Sequence, residues 1–150
     1  MKRILLCLLA LASSSCEKAF VSSIPDYAVY LELDLDFEDN ALLPVLAYKI
    51  YTPQNVNQAV EKTGFGGVLV FHGIGAGTNP YHAFDAACPY EANRSITVAV
   101  DEDHLYATCP KCQTRYDLAS GAGNPVSGPG HEQLKPYRVS VVGNKIRVGN

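Results

Sequence analysis

Nowhere in this 150-residue chain do apolar residues recur at the helical period over several turns, which excludes a helical bundle. No run of apolar residues is long enough to span a bilayer as a lasting transmembrane helix. There is no basic stripe and no basic helix, so nucleic acid is not an expected partner. The glycines of "GIGAGTNP" do not form a phosphate loop, because no Lys-Ser/Thr follows and no helix pattern begins. Neither a Ser-His-Asp set nor a pair of catalytic carboxylates can be argued from the sequence. Tryptophan is missing, and Met1 is the single methionine. What is present is nine tyrosines, twelve glycines and an ordinary globular balance of 47% hydrophobic and 18% charged residues. That mixture leans towards a β-rich, turn-rich fold of one domain.

The opening "MKRILLCLLALASSSC" differs from the rest. Lys2 and Arg3 precede an apolar run over residues 4–12, and small residues lead to Cys16. This is the pattern of a secretory signal peptide. Its ending resembles a bacterial lipoprotein signal, with Ser13 where that pattern prefers leucine. The resemblance implies lipidation of Cys16 and a stable membrane anchor, on the logic that several acyl chains suffice. The expected division is a signal peptide over 1–16, a tether over 17–26 and a folded domain over 27–150. The expected location is an exported, membrane-anchored protein on the periplasmic or surface face of a bacterial membrane. Loss of residues 1–16 removes two basic and no acidic residues, which leaves 10 Lys and Arg against 15 Asp and Glu.

Strand patterns fill the domain. "VYLELDLDF" (29–37) alternates apolar residues with acids, so one face is buried and the acids form a solvated face that discourages edge pairing. "LAYKIYTP" predicts a short strand ended by Pro53, and residues 54–63 predict at most a helical turn. "GGVLVFHG" reads as a buried strand, with "YHAFDAA" returning as its hairpin partner. "SITVAVD" places Ile96, Val98 and Val100 on one face, and "HLYATC" follows. Gly143-Asn144 predicts a two-residue hairpin turn between the last two strands. Many short strands with frequent turns give an all-β sandwich or partly open barrel.

Removing Cys7 with the signal and assigning Cys16 to lipid leaves Cys88, Cys109 and Cys112. Three cysteines cannot pair evenly as disulfides. Two short loops, each starting Cys-Pro and each following a strand, carry them: "CPYEA" and "CPKCQ". Cys-x-x-Cys lets two thiolates converge on one metal, and Cys88 can close from the adjacent hairpin.

The order and spacing resemble the Rieske domain, which has Cys-x-His in a first loop and Cys-x-x-His in a second. The run from Cys109-Pro110 through Arg115-Tyr116-Asp117-Leu118, Gly128-Pro129, Leu134 and Tyr137 to the final hairpin carries the resemblance. It covers residues 66–148. It implies a Rieske-like antiparallel β-sandwich with a small two-loop metal-binding subdomain. Tyr90 stands in place of the first histidine, Cys112 in place of the second, and Gln113 in place of the glycine that usually follows. By position, Cys88 and Cys109 would hold one iron, and Cys112 and Tyr90 would face the other.

Three site readings follow. One is a modified [2Fe–2S] cluster with Cys88, Cys109 and Cys112 as ligands and Tyr90 or His131 as the fourth. The second is a single zinc or iron. The third is no metal, with a Cys109–Cys112 or Cys88–Cys109 disulfide. The resemblance implies a one-electron carrier with a redox partner protein, possible as a subunit of a reductase, rather than an enzyme in its own right. At 150 residues the chain is expected to have no room for the non-haem iron domain of a ring-hydroxylating oxygenase. The alternative is a structural or binding lipoprotein on the same fold, without a cluster or with zinc. His72 and His82 are expected as polar strand-face residues and His104 as solvated. Asp117 and Tyr116 are expected as structural, with a Tyr116 hydrogen bond to a site sulfur as the functional version.

Overall fold

A computed structural model describes residues 21–75 and 79–150. The expected signal peptide, Cys16 and the start of the expected tether lie outside the described residues. Among the described residues the chain is all-β, as expected, with one short 3₁₀ turn at Asn40–Leu42. The strands are β1 (Val29–Asp34), β2 (Tyr48–Tyr51), β3 (Lys62–Thr63), β4 (Val68–His72), β5 (Tyr81–Asp85) and β6 (Ala99–Val100). They continue with β7 (Tyr106–Thr108), β8 (Arg115–Asp117), β9 (Pro125–Ser127), β10 (Pro136–Val142) and β11 (Lys145–Gly149). A seven-stranded antiparallel sheet has the order β2-β4-β5-β10-β11-β1-β3 and forms the base. A four-stranded sheet, β6-β7-β8-β9, forms the smaller unit.

Strand β10 folds the base on itself. Its first residues, Pro136 and Tyr137, pair with β5, and the remainder pairs with β11. Leu31, Leu33, Ile146 and Val148 therefore face Val68, Val70 and Ala83 in one core. The β4–β5 hairpin is buried on both faces, which explains its unbroken apolar run. Val68 and Val70 enter the base core, while Leu69 and Phe71 enter a second core shared with the small sheet. Cys88 and Cys109 belong to that second core. The site is thus seated on a wall packed from both sides.

The two-residue hairpin at Gly143-Asn144 is present, with Val142 paired to Lys145 and Gly143 at φ 59°. Elsewhere the expected elements shift. The first strand stops at Asp34, and Phe37 is 74% exposed instead of buried. Asp side chains end it: Asp39 accepts the Asp34 N–H at 2.9 Å, and Asp34 accepts the Asp36 N–H at 3.0 Å. The helical turn expected in 54–63 is one isolated turn, Glu61 N–H to Asn57 carbonyl at 2.7 Å, followed by β3. "SITVAVD" keeps Val98 buried but pairs as a strand only at Ala99–Val100. The end of the expected tether docks on the domain. Ile24 is buried, and the Lys135 ammonium donates to the carbonyls of Ile24 and Pro25 at 3.0 and 3.1 Å. Glu132 accepts from the hydroxyls of Ser22 and Ser23 and from the Ser23 N–H.

Candidate metal centre

The first cysteine loop follows β5. Cys88 N–H bonds the Ile96 carbonyl at 3.0 Å, and Ala92 N–H returns to the Cys88 carbonyl at 2.9 Å. The second loop joins β7 and β8. Cys109 N–H bonds the Thr114 carbonyl at 2.9 Å, and Gln113 N–H returns to the Cys109 carbonyl at 3.0 Å. Each loop is one tight turn that begins at Cys-Pro, where proline fixes φ for the bend. Each turn ends on a left-handed residue, Ala92 at φ 46° and Gln113 at φ 61°.

These turns bring the three sulfurs of Cys88, Cys109 and Cys112 within 4.8 Å of one another. Cys88 Sγ lies 3.7 Å from Cys112 Sγ. None of the three is in a disulfide, and Cys88 and Cys109 are fully buried while Cys112 is half-buried. Tyr116, also fully buried, places its hydroxyl 3.3 Å from Cys88 Sγ, which is the contact expected of its functional version. Thr114 Oγ1 lies 3.2 Å from Cys112 Sγ and accepts the Gly130 N–H at 2.9 Å. Gly128 and Gly130 let the loop between β9 and β10 approach this threonine. A Cβ on Gly128 would meet the Thr114 backbone at 2.5 Å.

Burial pushes the Cys88 thiol up to about 11, against the opposing pull of the Tyr116 hydroxyl and the Glu91 N–H. Burial also pushes Cys112 up, but hydrogen bonds with Thr114, Cys109 and Cys88 together outweigh it and the thiol ends below its ordinary value. Tyr116 is raised, by burial first and by Cys88 second. The two thiols are thus shifted in opposite directions, Cys88 towards the protonated form and Cys112 towards the thiolate.

The other sequence candidates for ligands lie at the surface. Tyr90 is 56% exposed, and His131 is exposed. Among the described residues no histidine or carboxylate oxygen falls with the three sulfurs. His104, expected to be solvated, is half-buried at φ 55°, with Nδ1 3.1 Å from the Leu46 carbonyl and its ring edge-on to Tyr48. His72 Nδ1 lies 2.9 Å from the Leu42 carbonyl, and burial lowers the His82 pKa.

Sequence reasoning missed Asp85, at the end of β5 and three residues before Cys88. It is fully buried, and its carboxylate accepts from the N–H groups of Phe65, Gly66 and Ala87 and from the Tyr137 hydroxyl at 2.7–3.3 Å. This bonding fixes the first loop to the base. Only its flanking by Ala86-Ala87 and the nearby glycines could have marked it. Sequence reasoning also missed Glu91, which pairs with Lys111 at 2.5 Å across the two loops.

A tetrahedral ion with metal–sulfur bonds of about 2.3 Å holds its sulfurs about 3.8 Å apart. The Cys88–Cys112 distance fits shared ligation of one ion. Thiolates on opposite irons of a two-iron cluster stand more than about 5 Å apart, because both irons and the bridging sulfides lie between them. The three-sulfur set does not fit a [2Fe–2S] cluster divided between the loops.

No protein-family model matches the chain, and no curated protein matches it. Solved structures similar to it include a chain of the complex of reduced oxygenase and oxidized ferredoxin in carbazole 1,9a-dioxygenase. It is 14% identical, covers 81% of this chain and 93% of that chain, and has a TM-score of 0.49. Another is the ferredoxin of carbazole 1,9a-dioxygenase from Nocardioides aromaticivorans IC177. It is 18% identical, covers 82% of this chain and 95% of that chain, and has a TM-score of 0.45.

Proposed function

We propose that the protein is an exported, membrane-anchored iron–thiolate protein on a Rieske-like scaffold, which carries single electrons to and from a redox partner protein. The observation that supports this is the convergence of three sulfurs from two loops at one locus, two of them fully buried. Thiolates are the donors that hold iron in electron-transfer sites. The chain's own residues bind, shield and bias the site. Tyr116 and Thr114 supply hydroxyls to the sulfurs, and Leu69, Phe71, Phe84 and Leu134 exclude water behind them. Such hydrogen bonds and burial are the means by which a protein tunes a metal–thiolate potential. The role is that of a carrier or a small subunit of a reductase, with catalysis residing in the partner. Cys16 would supply the membrane anchor.

The same donor set fits zinc, and a zinc-loaded protein would be a structural or binding lipoprotein. Spectroscopy separates the two. Full-length protein purified anaerobically in detergent should show thiolate-to-iron absorption in the visible, bleached by dithionite and restored by oxidant. A colourless protein that carries zinc, or no metal, would overturn the redox reading. For the anchor, Cys16→Ala should release the protein from the membrane fraction or block its processing. Unchanged detergent partitioning, with an N-terminus elsewhere, would overturn it.

A further inference from the structure

We infer that this site holds one metal ion, bound by Cys88, Cys109 and Cys112, with the fourth position left to solvent. The inference rests on the metal-binding half of the proposal above and departs from the two-iron cluster that the resemblance implies. Carried over by position, Cys88 and Cys109 would share one iron and Cys112 would serve the other. Yet Cys112 Sγ sits 3.7 Å from Cys88 Sγ, the spacing of two sulfurs on one ion. Cys109 and Cys112 lie in a single Cys-x-x-Cys turn closed by the Gln113 N–H, an arrangement that aims both sulfurs at one point.

The loops also show where the fourth ligand would be. Residues 88–92 follow the same turn as residues 109–113, so position 91 is the counterpart of Cys112. Glu91 occupies it and is turned to the Lys111 ammonium at 2.5 Å. Tyr90 and His131 are exposed, and the His131 ring nitrogens are not in the sulfur group. Cys112 is the half-buried member of the three, so the set opens to water on its side. Three protein ligands with a solvent position is the arrangement of a metal site that accepts a further ligand.

The test loads the full-length chain in detergent under anaerobic conditions. Metal and acid-labile sulfide are counted after growth on iron, and the metal-free protein is then titrated with Co²⁺. The expected result is one metal per chain, no labile sulfide, and a 1:1 endpoint with sulfur-to-cobalt charge transfer. Added imidazole should shift the cobalt bands, because it enters the open position. Glu91→Cys should complete a four-thiolate set, tighten Co²⁺ binding by about tenfold or more and abolish the imidazole response. Two irons with two sulfides would overturn the single-ion inference and leave the redox proposal standing. One bound zinc or cobalt, with iron refused, would leave the single-ion inference standing and overturn the redox proposal. No metal under any condition would overturn both. Cobalt bands unmoved by imidazole in the natural sequence would overturn the open fourth position.

Discussion

Residues 88–92 and 109–113 trace the same turn with different side chains. Both begin Cys-Pro, both close an N–H onto the cysteine carbonyl, and both end left-handed. The second loop has Cys112 where the first has Glu91, and Lys111 where the first has Tyr90. One loop therefore supplies two sulfurs and the other supplies one. The salt bridge from Glu91 to Lys111 joins the positions at which the loops differ. A backbone repeat thus survives a change of sulfur count. The local scaffold is set by proline, the closing hydrogen bond and the left-handed residue. The number of sulfurs is set by which positions carry cysteine.

Removing sulfur should break this comparison most severely. Cys109→Ser and Cys112→Ser should each weaken Co²⁺ binding by more than about 100-fold, since even outer hydrogen-bond partners of metal ligands cost about 10–100-fold. If Cys112→Ser binds as well as the natural protein, the second loop is no better equipped than the first. Next in size is the loop that presses on Thr114. Gly128 sits at φ 92°, where a Cβ would strike the Thr114 backbone. Gly128→Ala should cost about 3 kcal/mol and lower Tm by about 10 °C, as expected for backbone strain with a clash. A melting curve within a degree or two of the natural protein would contradict that packing.

Smaller effects sharpen the contrast between the two left-handed residues. Ala92 has no side-chain polar group to offset its conformation, whereas Gln113 Nε2 donates to the Pro110 carbonyl at 2.8 Å. Ala92→Gly should raise stability by about 1 kcal/mol, and Gln113→Gly by less, in denaturant unfolding. The reverse order would show that the glutamine hydrogen bond does not matter. Lys111→Ala should change Tm least, because the ammonium end of the pair is largely exposed. A large loss there would mean that the bridge between the loops holds the site together.

Much of this fold could be read in the sequence because its signals were local. Alternation marked β1, glycine-bounded apolar residues marked β4, and Gly143-Asn144 marked the last hairpin. What could not be read depended on partners far along the chain. Phe37 looked inward by alternation, but Asp34 and Asp39 turn the backbone first. Ile24 looked like tether until Lys135 and Glu132, more than one hundred residues on, tied its neighbours down. At the site, the Cys-Pro repeats identified the three cysteines, since each turn is closed within itself. The spacing of the sulfurs was not legible, because it is set between loops that lie far apart in the chain. Nor was Asp85, whose role appears only when Tyr137 and the 65–66 backbone converge on it.

X-ray absorption at the K-edge of the metal taken up by the full-length protein separates a single ion from a cluster. The expected spectrum shows a shell of three sulfurs at about 2.3 Å with one lighter donor and no metal–metal scattering. A second metal at short range, bridged by sulfide, would contradict it.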